Sequence, residues 1–188
     1  HPLQLATDEF AAAIGSPHDW LVEWKWDGIR AQLVKRDGQL WVWSRGEELV
    51  TDRFPELNVL ADALPDGTVI DGELVVWKHA PDIEGYPKQI KDQISTQSSS
   101  KQSQGQVQPF ALLQQRIGRK TLTAKILENL PVVILAYDLL EWQGEDNRGQ
   151  PQSARREQLE KVVLGCGQPQ LQLSPLVTGD SWQDLDRQ

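Results

Sequence analysis

Residues 23–30 read EWKWDGIR, and this stretch decides how the chain around it folds. The segments 20–26 and 29–36 are rich in aromatic and β-branched residues, a composition typical of strands. Lys25 and Asp27 would share one strand face, because side chains alternate along a strand, and both could enter one pocket. The stretch therefore predicts two consecutive strands with functional side chains where they meet.

The rest of the chain predicts a mixture of strands and helices. Asp37-Gly38 is a strong two-residue hairpin signal after the strand at 29–36. Apolar or β-branched runs predict further strands at 40–44, 68–77 (with a bulge or close approach at Gly72), 131–140 and 170–174. Periodicity and flanking proline or glycine predict helices at 56–64, 109–119, 122–130, 151–164 (ended by Gly165) and from 181 onward.

Strands and helices do not alternate regularly, so the predicted class is α+β, with antiparallel β-sheets flanked by helices. Residues 93–108 are almost all Ser, Gln, Lys and Gly. Such a polar segment has nothing to bury, which predicts a flexible loop inserted in a single domain.

Composition is that of a globular protein of 188 residues, and its formal net charge is −8. This charge argues against a nucleic-acid partner, although salt screening beyond about 10 Å leaves room for a local basic patch. No apolar run approaches the length of a membrane span, so no membrane partner is expected. Cys166 is the single cysteine and cannot form an internal disulfide, which favours a reducing, cytoplasmic location.

Lys25 is the candidate nucleophile. A lysine amine attacks only when it is neutral, and at an ordinary pKa of about 10.4 very few lysines are neutral at pH 7. A metal ion or a neighbouring guanidinium would favour the neutral form, whereas Asp27 would favour the charged one. We therefore expect Asp27 to have another partner. Gly28 permits a tight reversal that brings backbone close to a bound ligand.

Four ordered motifs resemble those of the covalent nucleotidyltransferases, the superfamily of DNA ligases, RNA ligases and mRNA-capping enzymes. The first is the stretch 23–30, followed by Ser44-Arg45-Gly46, Asp71-Gly72-Glu73 and Tyr137-Asp138-Leu139-Leu140. An isolated K-x-D-G is a weak signal, but the ordered set is strong. The wording TDRFPEL at 51–57 and LQQRIGRK at 113–120 resembles bacterial ATP-dependent DNA ligases in particular.

The resemblance implies the nucleotidyltransferase fold of these enzymes and a role for each motif residue. Lys25 would attack the α-phosphorus of ATP, expel pyrophosphate and hold AMP as a phosphoramidate. Glu23 would read the adenine and Tyr137 would stack on it, while Arg30 and Glu73 would hold the ribose and nearby groups. Arg45 would engage phosphate, including the 5′-phosphate of a DNA nick, which receives AMP before the 3′-hydroxyl seals the break.

Cofactors and partners also follow from the resemblance. ATP and Mg²⁺ are implied, with Glu73 as a candidate metal ligand, and the partner would be nicked double-stranded DNA, bound by a monomer of the full-length protein. The family's E-G-x-x-x-K motif, its lysine-rich motif, its oligonucleotide-binding barrel and a preceding DNA-binding domain are missing from 1–188. We therefore expect a partial adenylation domain, truncated at both ends, that does not seal nicks alone.

Several alternatives stay open from the sequence. An mRNA-capping enzyme or RNA ligase shares the lysine chemistry, and a nucleotide-binding fragment without catalysis is a rival of another class. An NAD-dependent DNA ligase is less favoured, because that group usually lacks an arginine at the position of Arg30. Arg116, Arg119 and Lys120 form a basic cluster that either meets DNA phosphates or is a solvated helix face. Asp138 is expected to bond nearby backbone.

Overall fold

A seven-stranded sheet organises the residues that the computed structural model describes, 5–78, 106–119 and 121–188. Its strands are β1 (Ile29–Arg36), β2 (Gln39–Ser44), β3 (Thr68–Lys78), β4 (Gln106–Val107), β5 (Val132–Trp142), β6 (Glu145–Asp146) and β7 (Leu171–Leu173). The order is β2-β1-β3-β5-β6, with β4 on β3 and β7 on β5. The pairs are antiparallel except β5 with β7, which is parallel.

Helices flank this sheet, as the α+β prediction requires. They are α1 (Phe10–Ile14), α2 (Leu60–Ala63), α3 (Phe110–Ile117), α4 (Ala124–Asn129), α5 (Gln152–Cys166) and α6 (Trp182–Asp186), with 3₁₀ turns at Thr7–Glu9, Pro17–Asp19, Thr51–Arg53 and Pro55–Val59. The expected end of α5 at Gly165 is wrong. The helix continues to Cys166, because Gly167 is the residue that adopts the left-handed conformation, with φ of 61°.

The apolar core lies between the sheet and these helices. Strand and helix residues meet there with no exposed surface, among them Leu33, Ile70, Ile134 and Leu159. Full burial of such a side chain stabilises the fold by about 1.5–3 kcal/mol. A smaller cluster of Val75, Val133 and Leu135, joined by Trp26 and Trp77, packs separately from this core.

The hairpin and bulge signals are confirmed. Asp37 and Gly38 both have positive φ, 49° and 73°, as the turn of a two-residue hairpin requires, and Arg36 pairs with Gln39 across it. The register between β3 and β5 shifts between Asp71 and Gly72. A Cβ at Gly72 would lie 2.8 Å from the Leu135 carbonyl oxygen, so the glycine permits this close pairing.

The strand expected at 20–26 is absent. This segment makes one isolated bridge, between Glu23 and Leu176, and two further backbone bonds, from Val177 N to Val22 O at 2.8 Å and from Trp20 N to Pro17 O at 3.1 Å. The facing chain contains Pro175, which has no N–H and cannot extend a ladder. Lys25 and Asp27 therefore lie on an irregular segment rather than on a strand face.

Part of the loop prediction is also wrong. Gln106–Val107 forms β4 against the end of β3, and the Gln108 side chain is buried, with its backbone N donating to Val76 O at 2.9 Å. These residues pair because β3 extends to Lys78 and offers them a free edge. Residues 93–105 lie outside the described residues.

Arg116 does not belong to an exposed basic cluster, so this prediction is wrong for Arg116. This side chain has no exposed surface, and its guanidinium donates to the Glu56 carboxylate and to the carbonyl oxygens of Arg53 and Leu130. Arg116 therefore ties α3 to the turn at Pro55–Val59 and does not face a partner. Lys120 lies outside the described residues.

Candidate active site

One cavity brings together all the site residues that the sequence predicts. It has a volume of about 690 Å³, and its lining includes Glu23, Lys25, Arg30, Arg45, Glu73 and Tyr137. They come from the irregular segment before β1, from β1, from the turn after β2, and from β3 and β5. The volume lies within the range of about 300–1,000 Å³ that is typical of small-molecule sites.

Lys25 is exposed in the cavity wall, on a segment held by few bonds. Besides the Val22–Val177 bond, the indole Nε1 of Trp26 donates to Ser174 Oγ at 3.0 Å. Asp27 also lines the cavity, but it makes no hydrogen bond or ion pair with the described residues. The partner expected for Asp27 is therefore not found there.

Arg30, Asp71 and Tyr137 form a connected group at the cavity wall. The Asp71 carboxylate, only 5% exposed, accepts from Arg30 Nε at 3.3 Å and Nη2 at 2.5 Å, and from Tyr137 Oη at 3.3 Å. The bond to Asp71 raises the pKa of Arg30 above its usual value, and burial raises that of the Tyr137 phenol. Asp71 thus holds Arg30 by two bonds and Tyr137 by one long bond, and both Arg30 and Tyr137 line the cavity.

Glu73 is in an environment unfavourable to negative charge. Burial raises its pKa to about 7; the positive charge of Arg30 opposes this rise, and Asp71 and Asp27 add to it. Since Asp27 and Glu73 line the same cavity, a cation or a hydrogen-bond donor bound there would relieve the repulsion.

Glu23 and Arg45 are also held by specific partners. Glu23 Oε1 accepts from Arg156 Nη1 at 3.2 Å. Burial raises the pKa of Glu23, Arg156 lowers it, and Asp138 raises it. The backbone N of Arg45 donates to Arg30 O at 3.0 Å, which fastens the turn after β2 to β1 and places Arg45 at the cavity.

Gly28 is required by a close approach to β3. A Cβ there would collide with the Leu74 carbonyl oxygen and lie 2.9 Å from Cγ of Glu73. Its φ is not positive, so the requirement is for space. Gly28 therefore packs closely against the strand that carries Glu73, and it also lines the cavity.

The carboxylates fit a magnesium ion that arrives with phosphates. Mg²⁺ is usually bound by one or two carboxylates together with substrate oxygens and water. Asp27 and Glu73 provide such oxygens in the cavity. Across residues 5–78, 106–119 and 121–188, no group of three or more His, Cys, Asp or Glu side chains could hold a metal by itself.

Sequence reasoning gave no role to three residues that hold the site. Asp71 belongs to the motif Asp71-Gly72-Glu73, so the sequence indicated that it lies near the site, where it contacts Arg30. No sequence motif includes Arg156 or Ser174. Arg156 directly follows Arg155 on an amphipathic helix, and nothing in the sequence distinguishes these two arginines. The expectation for Asp138 is confirmed, since its Oδ1 accepts from Leu139 N at 2.9 Å.

The chain is similar to a family described as "ATP dependent DNA ligase domain", whose model matches residues 6–187. It is 35% identical over 151 residues to a "Probable DNA ligase" from Opitutus terrae, covering 80% of this chain and 12% of that protein. It is 32% identical over 146 residues to a "DNA ligase" from Aeropyrum pernix, covering 77% and 20%. The chain therefore spans well under a third of the length of these relatives.

Solved structures share the architecture. A structure of mycobacterial DNA ligase D complexed with ATP and MES matches with a TM-score of 0.58 and 27% identity, covering 88% of this chain and 42% of that one. The ligase domain of M. tuberculosis LigD matches with a TM-score of 0.58 and 28% identity, covering 88% and 43%. The predicted α+β nucleotidyltransferase fold is thereby confirmed. No helix among the described residues is long and apolar enough to cross a membrane.

Proposed function

The chain belongs to the ATP-dependent DNA ligase domain family, and from that premise we propose that the protein is an ATP-dependent DNA ligase with Lys25 as its nucleophile. The observation that carries this proposal is a cavity in which Lys25 meets two arginines, three carboxylates and three aromatic side chains. Separate segments of the chain supply these side chains, so their meeting is a product of the fold.

The first step of the proposed reaction takes place on Lys25. Its Nζ attacks the α-phosphorus of ATP, a P–N bond forms, and the bond to pyrophosphate breaks. Arg30 and Arg45 carry the positive charge that phosphate oxygens need as negative charge develops on them. When bound, Mg²⁺ would supply further charge neutralisation on the phosphates, with Asp27 and Glu73 as its protein ligands.

Nucleotide recognition is assigned to the remaining cavity residues. The Tyr137 ring offers a face for the base. Glu23 offers a carboxylate oxygen to the base, and Glu73 with Arg30 would hold the ribose. The adduct so formed is AMP on Lys25.

The second and third steps involve DNA. AMP passes from Lys25 to the 5′-phosphate of a nick, which Arg45 would hold, and the 3′-hydroxyl then displaces AMP and joins the strands. We assign the protein to the joining of breaks in DNA repair, replication and recombination, with nicked double-stranded DNA as partner. A cytoplasmic monomer is proposed, because one chain lines the cavity and the single Cys166 fits a reducing compartment.

The test is a joining assay with three arms. A nicked DNA duplex with a 5′-phosphate is incubated with the full-length protein that contains residues 1–188 and MgATP. A second duplex carries an RNA strand at the nick, and a third reaction offers MgGTP and RNA with a 5′-diphosphate. Joining of the DNA nick with ATP is the expected result. Preferential joining of RNA, or transfer of GMP to RNA, would replace the proposal by an RNA-ligase or capping function.

A further inference from the structure

The Arg156 guanidinium lies behind Glu23 and is only 8% exposed. It donates to Glu23 Oε1 at 3.2 Å, to Glu160 Oε1 at 2.9 Å and to the Ser174 carbonyl oxygen at 2.9 Å. Because a guanidinium is planar and rigid, three acceptors fix its orientation. The guanidinium so oriented donates to Glu23 Oε1 from a fixed position.

Ser174 extends this arrangement to the other side of the nucleophile. It is buried, and its backbone N donates to Ala136 O of β5 at 2.8 Å. Its Oγ accepts from Trp26 Nε1 at 3.0 Å. Residues 23 and 26, which flank Lys25, are therefore both attached to one unit formed by Arg156 and Ser174. This attachment replaces the strand pairing that the segment lacks.

One oxygen of Glu23 stays available to a ligand. Arg156 engages Oε1, while Oε2 accepts no hydrogen bond from any described residue. Since Glu23 lines the cavity, Oε2 is the part of this carboxylate that a bound base can use. A free carboxylate oxygen accepts from an amine and repels a carbonyl oxygen.

We propose that Arg156 is a specificity-determining positioning residue, which orients Glu23 so that Oε2 accepts from the amino group of adenine and disfavours guanine. Adenine carries an amino donor at the ring position where guanine carries a carbonyl acceptor. A carboxylate held in one orientation distinguishes them, whereas a freely rotating one discriminates less. The inference rests on the proposed function only in taking a purine nucleotide as the ligand of the cavity.

A purely structural role for Arg156 makes a different prediction. Arg156 also joins α5 to the chain after β7, so its loss could weaken the site as a whole and lower the affinity for every nucleotide equally. Arg155 provides a matched control on the same helix. Its Nε and Nη2 donate to the Asp138 carboxylate at 2.8 and 2.9 Å, and it makes no hydrogen bond or ion pair with Glu23.

The experiment measures dissociation constants of labelled ATP and GTP by equilibrium dialysis without Mg²⁺, which prevents the covalent step. Arg156→Gln should weaken ATP binding by about tenfold or more and leave GTP binding nearly unchanged, since a hydrogen bond to a charged group is lost. Arg155→Gln should keep the wild-type ratio of the two constants. Adding Arg156→Gln to Glu23→Gln should cause no further loss of ATP affinity.

Two results would overturn the inference: an unchanged ratio of the two constants in Arg156→Gln, whether neither nucleotide or both are weakened equally, or full additivity with Glu23→Gln. If Arg156→Gln does not fold, Arg156→Lys takes its place, because an ammonium lacks the planar, rigid set of donors with which the guanidinium reaches its three acceptors. It should lower the ATP preference severalfold, and a wild-type preference would contradict the inference. Wild-type protein that binds neither nucleotide would instead refute the proposed function.

Discussion

Two arginine–carboxylate pairs in this molecule use their hydrogen bonds in opposite ways. Arg116, with no exposed surface, donates five bonds, two to Glu56 and three to backbone carbonyl oxygens. These engage all the N–H donors that a guanidinium has. Arg30, 54% exposed, donates two bonds, both to Asp71, and its Nη1 makes none with the described residues.

This difference separates a structural pair from a binding pair. A saturated guanidinium has nothing left for a ligand, so Arg116 can only stabilise the fold. A guanidinium held on one edge and open on the other is oriented in advance for phosphate or ribose oxygens. Net charge and residue type do not distinguish the two, and only their surroundings do.

The largest expected effect is on stability, at the buried pair. Glu56→Gln keeps the size of the side chain but leaves Arg116 charged and uncompensated in the interior. We expect a loss of about 3–5 kcal/mol in the free energy of unfolding. Urea unfolding monitored by tryptophan fluorescence measures it. A loss below 1 kcal/mol would mean that the backbone carbonyls alone satisfy Arg116.

The next largest effect is expected on nucleotide binding, at Tyr137. Tyr137→Ala removes the ring face and should weaken ATP binding by about 1–3 kcal/mol, the worth of stacking a base on an aromatic side chain. Tyr137→Phe is the matched control and should be nearly silent, because the bond from the phenol to Asp71 is long at 3.3 Å. Equal damage from both changes, seen by calorimetric titration, would assign the contribution to the hydroxyl.

Asp71→Asn makes the same change as Glu56→Gln, from carboxylate to amide, in the arginine–carboxylate pair at the cavity. It should cost little stability, under about 1 kcal/mol, because the half-exposed Arg30 regains water. ATP affinity should fall up to about tenfold, or about 1.4 kcal/mol, since Arg30 loses the negative charge of Asp71 and the Oδ2 acceptor of its Nη2. If Asp71→Asn destabilised the fold as much as Glu56→Gln does, the distinction between the two pairs would fail.

The smallest effect concerns the pH dependence of stability at Glu73. Its pKa is about 7 in the folded protein and 4.5 for an unperturbed glutamate. Between these values the folded protein retains a proton that the unfolded chain has released, so this contribution to stability falls as pH rises from 4.5 to 7. The melting temperature of the wild type relative to Glu73→Gln should therefore decrease from pH 5 to pH 8, modestly because the group is half-exposed. Parallel profiles would contradict the raised pKa.

The same contrast explains how far the sequence predicts the molecule. The Asp37-Gly38 hairpin and the apolar run of β5 depend on local signals, and both were predicted. The ordered motifs identified six of the residues that line the cavity. The strand prediction for 20–26 is wrong because a strand needs a pairing partner, and Pro175 on the facing segment interrupts the pairing. The burial of Arg116 could not be predicted, because a helix pattern does not show which arginine meets a distant carboxylate.

The central claim is that this cavity transfers AMP to Lys25, and peptide mapping after incubation with MgATP tests it most directly. For the full-length protein that contains residues 1–188 we predict one AMP per chain, on the peptide that contains Lys25, and no adduct in Lys25→Ala. Lys161→Ala, which removes only an exposed pair with Glu157, should retain the adduct. Lys35 cannot substitute, because it is buried and paired with Asp66 at 3.0 Å. AMP mapped to any other residue, or an adduct that persists in Lys25→Ala, would contradict the account.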